Sequence, residues 1–268
     1  MKFAAKLLLA TLFIPAFLLA VLLGTVKYKF LNINSWKTMY AKYDVYQSIA
    51  TVLKNNLEDK ITSSGGNVSD VKVITDLITP GNLKDFIDKN TVNVLDYVNG
   101  RVSEWIVYVP IDKVPKNLLP ENLLGIQDNM PIDVLMAKFD VGPANSNYKQ
   151  ISQIGRSVNL LFFGSLFILI VITGFLIFLT EPGKRFSVFG TVYLISGLLT
   201  LAFYRLGIFA NSGVVTGLSQ TTTVGDMVTR ILVPPMIQEA FRIWFDIGIA
   251  ASVLGILFLF IKRPRLKL

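Results

Sequence analysis

Four long apolar runs constrain this chain more than any other feature: Leu7 to Val26, Val158 to Leu179, Val188 to Ala210 and Ile243 to Ile261. Each approaches or passes the roughly 20 apolar residues a helix needs to cross about 30 Å of hydrocarbon. In lipid every backbone N–H and C=O must be satisfied within the protein, so such runs specify helices and not irregular chain. The expected fold class is an integral membrane α-helical protein. It is a four-helix transmembrane bundle with a large, mostly helical α+β domain inserted between the first and second spans.

Charge then orients the spans. Met1 to Lys6, Thr180 to Ser187 and Lys262 to Leu268 share one end of them, with Lys2, Lys6, Lys184, Arg185, Lys262, Arg263, Arg265 and Lys267 against the single acid Glu181. These short pieces hold +7 of the formal net charge of +8. Basic residues gather on the cytoplasmic side, which predicts both termini inside (N-in, C-in) and the inserted domain outside. Nucleic acid is not expected as a partner, because its binders cluster Lys and Arg on a soluble face that displaces counterions from phosphates.

The segments follow in order. Residues 1–30 form the first span, with an apolar core at 7–26, and 31–157 the extracytoplasmic domain. The second span is 158–179, the cytoplasmic turn 180–187 and the third span 188–210. An outer loop with an amphipathic interfacial helix occupies 211–242, the fourth span 243–261 and a basic tail 262–268. A cleaved signal peptide is the alternative for the N-terminus. The apolar stretch outruns a usual signal core, however, and Lys27, Tyr28, Lys29 and Phe30 follow it as an interfacial flank. A retained helix is favoured, kinked at Pro15.

The chain has no Cys and no His. Thiol catalysis, disulfides, Cys or His zinc sites, Ser-His-Asp triads and His-ligated haem all need side chains that it lacks. No cofactor and no metal is expected. A disulfide-free outer domain fits a bacterial or archaeal plasma membrane.

Within the outer domain, Trp36, Met39, Tyr40, Tyr43, Tyr46, Ala50, Leu53 and Leu57 recur at spacings of three and four, predicting one amphipathic helix. Trp36, Tyr40, Tyr43 and Tyr46 would make core contacts on that stripe, or line an aromatic ligand pocket. Thr79 and Pro80 read as the cap and first turn of a further helix, ended by Asn99 and Gly100. Val102 to Ile111 and Val134 to Val141 read as two short strands joined by a Pro and Asn rich loop, Pro115 to Pro131. Glu58, Asp59, Asp85, Asp88 and Asp128 stand at no calcium-loop spacing and read as a solvated face. Asn67-Val68-Ser69 matches a glycosylation acceptor.

In the membrane part, Arg205 and Asp246 lie inside apolar runs, where an unpaired charge costs at least a few kcal/mol. At 1.5 Å per residue they lie about 27 Å from Ser187 and about 23 Å from Ile261 respectively, so an interhelical ion pair between them is the expectation. Gly248, Ala251, Ser252 and Gly255 share one face of the fourth span and would let a neighbouring helix approach closely. Thr223 and Asp226 have capping-box spacing ahead of an amphipathic stretch that Pro234 and Pro235 should break. The layout resembles that of claudin-like tetraspan proteins in topology alone, since the paired Cys signature is missing.

These features favour a non-catalytic membrane protein, a scaffold or accessory subunit of a cell-envelope complex, with the outer domain binding a partner. Its partners would be membrane lipids and other membrane or envelope subunits, in a homo- or hetero-oligomer. A channel or transporter subunit is the alternative, although no polar stripe or broken inverted repeat is visible. A membrane-bound enzyme is third, with no nucleophile-base pair or phosphate loop. Because the chain lacks Cys, introduced thiols report topology cleanly. A Ser64→Cys variant should react with a membrane-impermeant reagent in intact cells while Ser187→Cys is protected, and the reverse pattern would overturn the orientation.

Overall fold

The structure is a computed structural model that describes residues 2–65, 72, 75–111, 127–138, 148–218 and 223–261. The glycosylation match at Asn67-Val68-Ser69, most of the Pro115 to Pro131 loop and the basic tail 262–268 lie outside the described residues. In chain order the elements are α1 (Lys2–Thr25), a π-helical turn (Val26–Phe30), α2 (Ile33–Lys42), α3 (Val45–Ser63), α4 (Pro80–Val98), β1 (Ile106–Tyr108), β2 (Asn129–Pro131), α5 (Ile132–Lys138), α6 (Tyr148–Ile151), α7 (Ile154–Leu179), α8 (Arg185–Leu218) and α9 (Val224–Phe260). Four helical stretches are long and apolar enough to cross a membrane: Phe3–Phe30, Ile154–Leu179, Arg185–Ser212 and Val224–Phe260. The chain therefore fits a multi-pass helical membrane protein, and it divides into two compact units.

The first unit comprises residues 1–29, 158–214 and 237–268. Phe13 of α1, Ile172 and Leu176 of α7 and Val192 of α8 are buried together. Tyr193 sets its ring edge-on against Phe13 at 5.5 Å and against Phe258 of α9 at 6.1 Å. Thr25 sits under the start of the π turn, where its hydroxyl donates to the Val21 carbonyl at 2.8 Å and accepts from the Trp244 indole N–H at 3.0 Å. That bond satisfies a polar tip with no water at hand. At the opposite end of α1, Glu181 is held below the usual carboxylate range by its hydrogen bond from Lys184 and, more weakly, by the charge of Lys6. The start of α1 and the α7–α8 turn thus share one end of the bundle.

The tightest packing is between α8 and α9. A side-chain carbon added at Gly255 would lie 2.5 Å from the Leu194 amide nitrogen, and one at Gly190 would lie 2.8 Å from the Gly255 carbonyl oxygen. One at Gly197 would run into Ser252, and one at Gly248 would meet Leu201 at 2.8 Å. Backbones this close gain dispersion contacts along their whole length, which is what associates helices in lipid when no hydrophobic difference exists between side chain and solvent.

The second unit comprises residues 30–157 and 215–236. Its aromatic stripe comes from two helices and not from the one expected, because the chain breaks at Tyr43–Asp44. Asp44 adopts φ 48°, in the left-handed region, and α3 restarts at Val45. A short polar side chain is among the few that tolerate this conformation. Helix α4 begins as its sequence implies, with the Thr79 hydroxyl accepting from the Asn82 amide at 3.1 Å and Pro80 in the first turn. Asn90 in mid-helix bonds both backbone groups of Tyr108, donating to its carbonyl at 2.8 Å and accepting from its amide at 2.9 Å. This fixes β1, which pairs antiparallel with β2 in the register Ile106 to Pro131, Val107 to Met130 and Tyr108 to Asn129.

Two further expectations are corrected. Of the strand expected at Val134 to Val141, the described residues 134–138 belong instead to the helix α5, Ile132–Lys138, and β2 lies just before it. Leu135, Met136, Ala137 and Lys138 are good helix formers, and Asp133 in the first turn complements the helix dipole. Nor do Pro234 and Pro235 break the helix, since both lie inside continuous α9. Their ring-fixed φ is itself helical, and the cost lies in the bonds their missing N–H groups would have made to the carbonyls of residues 230 and 231 and in the crowding of their rings against those carbonyls.

The glycine seam should be the most substitution-sensitive part of the first unit. Gly255→Ala should lower the thermal midpoint of the detergent-solubilised protein. By contrast Gly174→Ala, where nothing lies within 4 Å, should leave it unchanged or raise stability by up to about 1 kcal/mol through helix propensity. Equal midpoints for the two variants would show that the seam is not tight.

Candidate binding cleft

In the second unit, Met39, Tyr40, Val45 and Ile49 are buried, with Trp36, Tyr43, Tyr46, Leu83 and Ile87 packed on them. Trp36 faces Tyr40 at 5.8 Å and Tyr40 meets Tyr46 edge-on at 5.6 Å. All four expected aromatic residues therefore belong to one core cluster. The polar tips of three of them are satisfied. The Trp36 indole donates to the Phe30 carbonyl at 2.8 Å. The Tyr46 hydroxyl donates to Asp88 Oδ1 at 2.6 Å. Thr91 spends its single proton on the Ile87 carbonyl at 2.7 Å, so across the 3.2 Å contact Tyr40 is the donor and Thr91 the acceptor.

Asp88 corrects the expected solvated acidic face. It is 9% exposed and accepts from Tyr46 on one oxygen and from Lys84 Nζ, at 3.2 Å, on the other. A buried carboxylate persists only when its lone pairs are taken up in this way. Burial, then the hydrogen bond to Asp88 and the charge behind it, push the Tyr46 phenol well above its ordinary pKa of 10.0. Burial likewise raises that of Tyr40. A phenol whose proton is locked towards a carboxylate is a poor base, and the cluster reads as a clamp of α2 and α3 onto α4.

The membrane-part candidates separate as well. Gly248, Ala251, Ser252 and Gly255 are all buried on the face of α9 that meets α8. Arg205 and Asp246 are both exposed, and among the described residues no ion pair joins them. Asp246 follows Phe245, which meets Tyr204 of α8 at 5.1 Å, by one residue, so at about 100° per residue it is turned off the line of contact to the exposed side of the helix pair.

Among the described residues the second unit also holds a cleft. A half-open cleft of about 610 Å³ is bounded by Tyr97, Ser103, Glu104, Trp105, Pro131, Ile132, Asp133, Val134 and Ser152. Its floor is rigid: Tyr97 is 2% exposed, and its ring stacks on Trp105 at 6.3 Å with the planes 25° apart. One wall is set by β1–β2 pairing and by the Ile132 amide donating to the Trp105 carbonyl at 2.9 Å. The Arg156 guanidinium, donating to the Gly100 carbonyl at 2.8 Å, ties the region beyond α4 to the start of α7. Glu104 and Asp133 stand exposed at the rim. A cleft lined by an indole and two carboxylates suits a flat cationic or basic group, by stacking and charge together. Sequence reading missed this cleft, because its residues are drawn from four separate segments and only Trp105 stands out among them. Among the described residues no group of three or more acids is placed to hold a metal ion.

The phenol–carboxylate clamp yields a pH test. A raised phenol pKa means the folded form keeps a proton that the unfolded chain releases near pH 10. Its contribution is therefore complete below about pH 10 and lost as pH rises above it. Tyr46→Phe should cost about 1.5–3 kcal/mol at neutral pH, the range for a hydrogen bond to a charged group. It should also flatten the fall in stability above pH 10, followed by circular dichroism against denaturant. An unchanged alkaline slope would show that Tyr46 does not carry it.

No protein-family model, curated protein or solved structure matches the chain.

Proposed function

We propose that this is a non-catalytic membrane protein, a scaffold or accessory subunit of a membrane complex at the cell envelope. Its helices anchor it, and the unit built on residues 30–157 and 215–236 binds a partner protein outside the cytoplasm. The observation that supports this reading is the cleft: a preformed indole floor with carboxylates at an open rim is built to receive a side chain, and it offers no arrangement for activating water or a nucleophile. Tyr40, Tyr46 and Asp88, which would otherwise suggest catalysis, are spent on the clamp of α2 and α3 onto α4. A partner segment carrying Arg or Lys fits the cleft best, its cation over Trp105 and between Glu104 and Asp133. The bias of positive residues at the opposite ends of the spans supports N-in, C-in orientation and an outer position for this unit.

A photo-cross-linking residue at Val134, 45% exposed on the cleft wall, should give an adduct with a different polypeptide in intact cells. The same residue at Asn55, exposed on α3, should not. Trp105→Ala and Glu104→Lys should each remove the Val134 adduct while the protein still reaches the membrane. Equal adducts at both positions, or an adduct indifferent to both substitutions, would overturn the proposal.

A further inference from the structure

The charged residues in the C-terminal half of α8 (Arg185–Leu218) and in the middle of α9 (Val224–Phe260) form a group that the ion-pair expectation did not foresee. Tyr204 of α8 meets Phe245 of α9 at 5.1 Å, and a carbon added at Gly207 would run into the Phe241 ring. Arg205 lies between the first pair of these partners and Arg242 between the second, so the two arginines are at the same level on neighbouring antiparallel helices. Each follows a seam residue by one position, Tyr204 and Phe241, and is turned by about 100° from it. In antiparallel helices those turns carry both residues to the same side of the pair, away from the side where Trp244 bonds Thr25 of α1. Both arginines are exposed, and among the described residues neither is in an ion pair.

The depth of this pair is independently marked. Arg242 lies three residues, less than one helical turn, from Glu239, which bonds Lys29 at 3.6 Å just past the end of α1. Two residues earlier, Lys27 sits over the Phe163 ring at 4.0 Å. Lysines against aromatic rings at the end of an apolar helix are the mark of the headgroup layer. At that depth, two guanidinium groups on one face meet phosphate rather than water or hydrocarbon, and each offers a planar fork of donors that matches phosphate oxygens. Asp246, one turn further along α9 on the same side, leaves the group with a net single positive charge, enough for a phosphodiester.

We propose that Arg205 and Arg242 together bind the phosphate of an anionic phospholipid at the membrane surface, with Asp246 limiting the affinity. The test uses the full chain in detergent, with phosphatidylglycerol, phosphatidylcholine and inorganic phosphate as separate probes, read by native mass spectrometry and by thermal midpoint. Phosphatidylglycerol should be retained and should raise the midpoint, and phosphatidylcholine should do so weakly. Arg205→Gln or Arg242→Gln should each weaken phosphatidylglycerol retention about tenfold, as expected for loss of one charge-assisted contact. Asp246→Asn should strengthen it, a change in the opposite direction that misfolding would not produce. Retention unaffected by either arginine substitution, equal retention of the two lipids, or Asp246→Asn binding no better than the parent would each overturn the proposal. So would stabilisation by inorganic phosphate equal to that by the lipid, which would reassign the arginines to a soluble anion.

Discussion

The membrane unit depends on how closely the backbones of α8 and α9 approach. Gly190 and Gly197 on one helix, and Gly248 and Gly255 on the other, leave no room for a side-chain carbon. In water such a contact would be a minor addition to hydrophobic burial. In hydrocarbon it is the main source of association, because apolar side chains gain nothing by leaving lipid. With the seam closed, Tyr193 and Phe258 are left to fill the space beside α1, and Trp244 is placed where its N–H finds Thr25.

The second unit solves a different problem, the burial of polar groups among aromatics. Asp88 would be costly in that core alone, and becomes tolerable because Tyr46 and Lys84 supply a donor to each oxygen. The left-handed turn at Asp44 makes this possible, since a single continuous helix would have placed Tyr40 and Tyr46 on one rod. Splitting it brings their rings to 5.6 Å from two directions. The same economy appears at Asn90, whose amide replaces a missing strand neighbour for Tyr108.

These arrangements account for where chemistry is available. Polar groups inside the aromatic cluster are saturated with partners and serve the fold. Glu104 and Asp133 at the cleft and Arg205 and Arg242 on α8 and α9 are exposed, and the two proposals rest on these groups. The proposed occupants, a basic side chain in the cleft and a lipid phosphate at the arginine pair, are of opposite charge.

The sequence by itself determined the number of spans, because length and apolarity of a run are local properties and the bilayer admits little besides helices for such runs. It also carried the start of α4, since Thr79 and Pro80 act on the first turn that follows them, and the small-residue face of α9, since helical phase is a matter of counting. It did not carry the break at Asp44 or the helix at Ile132–Lys138, where competing local preferences are nearly balanced and neighbours decide between them. It also misjudged Asp88 and the Arg205–Asp246 pair. A carboxylate's burial depends on which donors other helices bring to it, and an ion pair depends on rotation about two helix axes as well as on depth. Counting residues gives the depth. Only the packing of α8 against α9 decides which side chains meet, and it leaves Arg205 and Asp246 exposed with no ion pair between them while bringing Arg205 close to the level of Arg242.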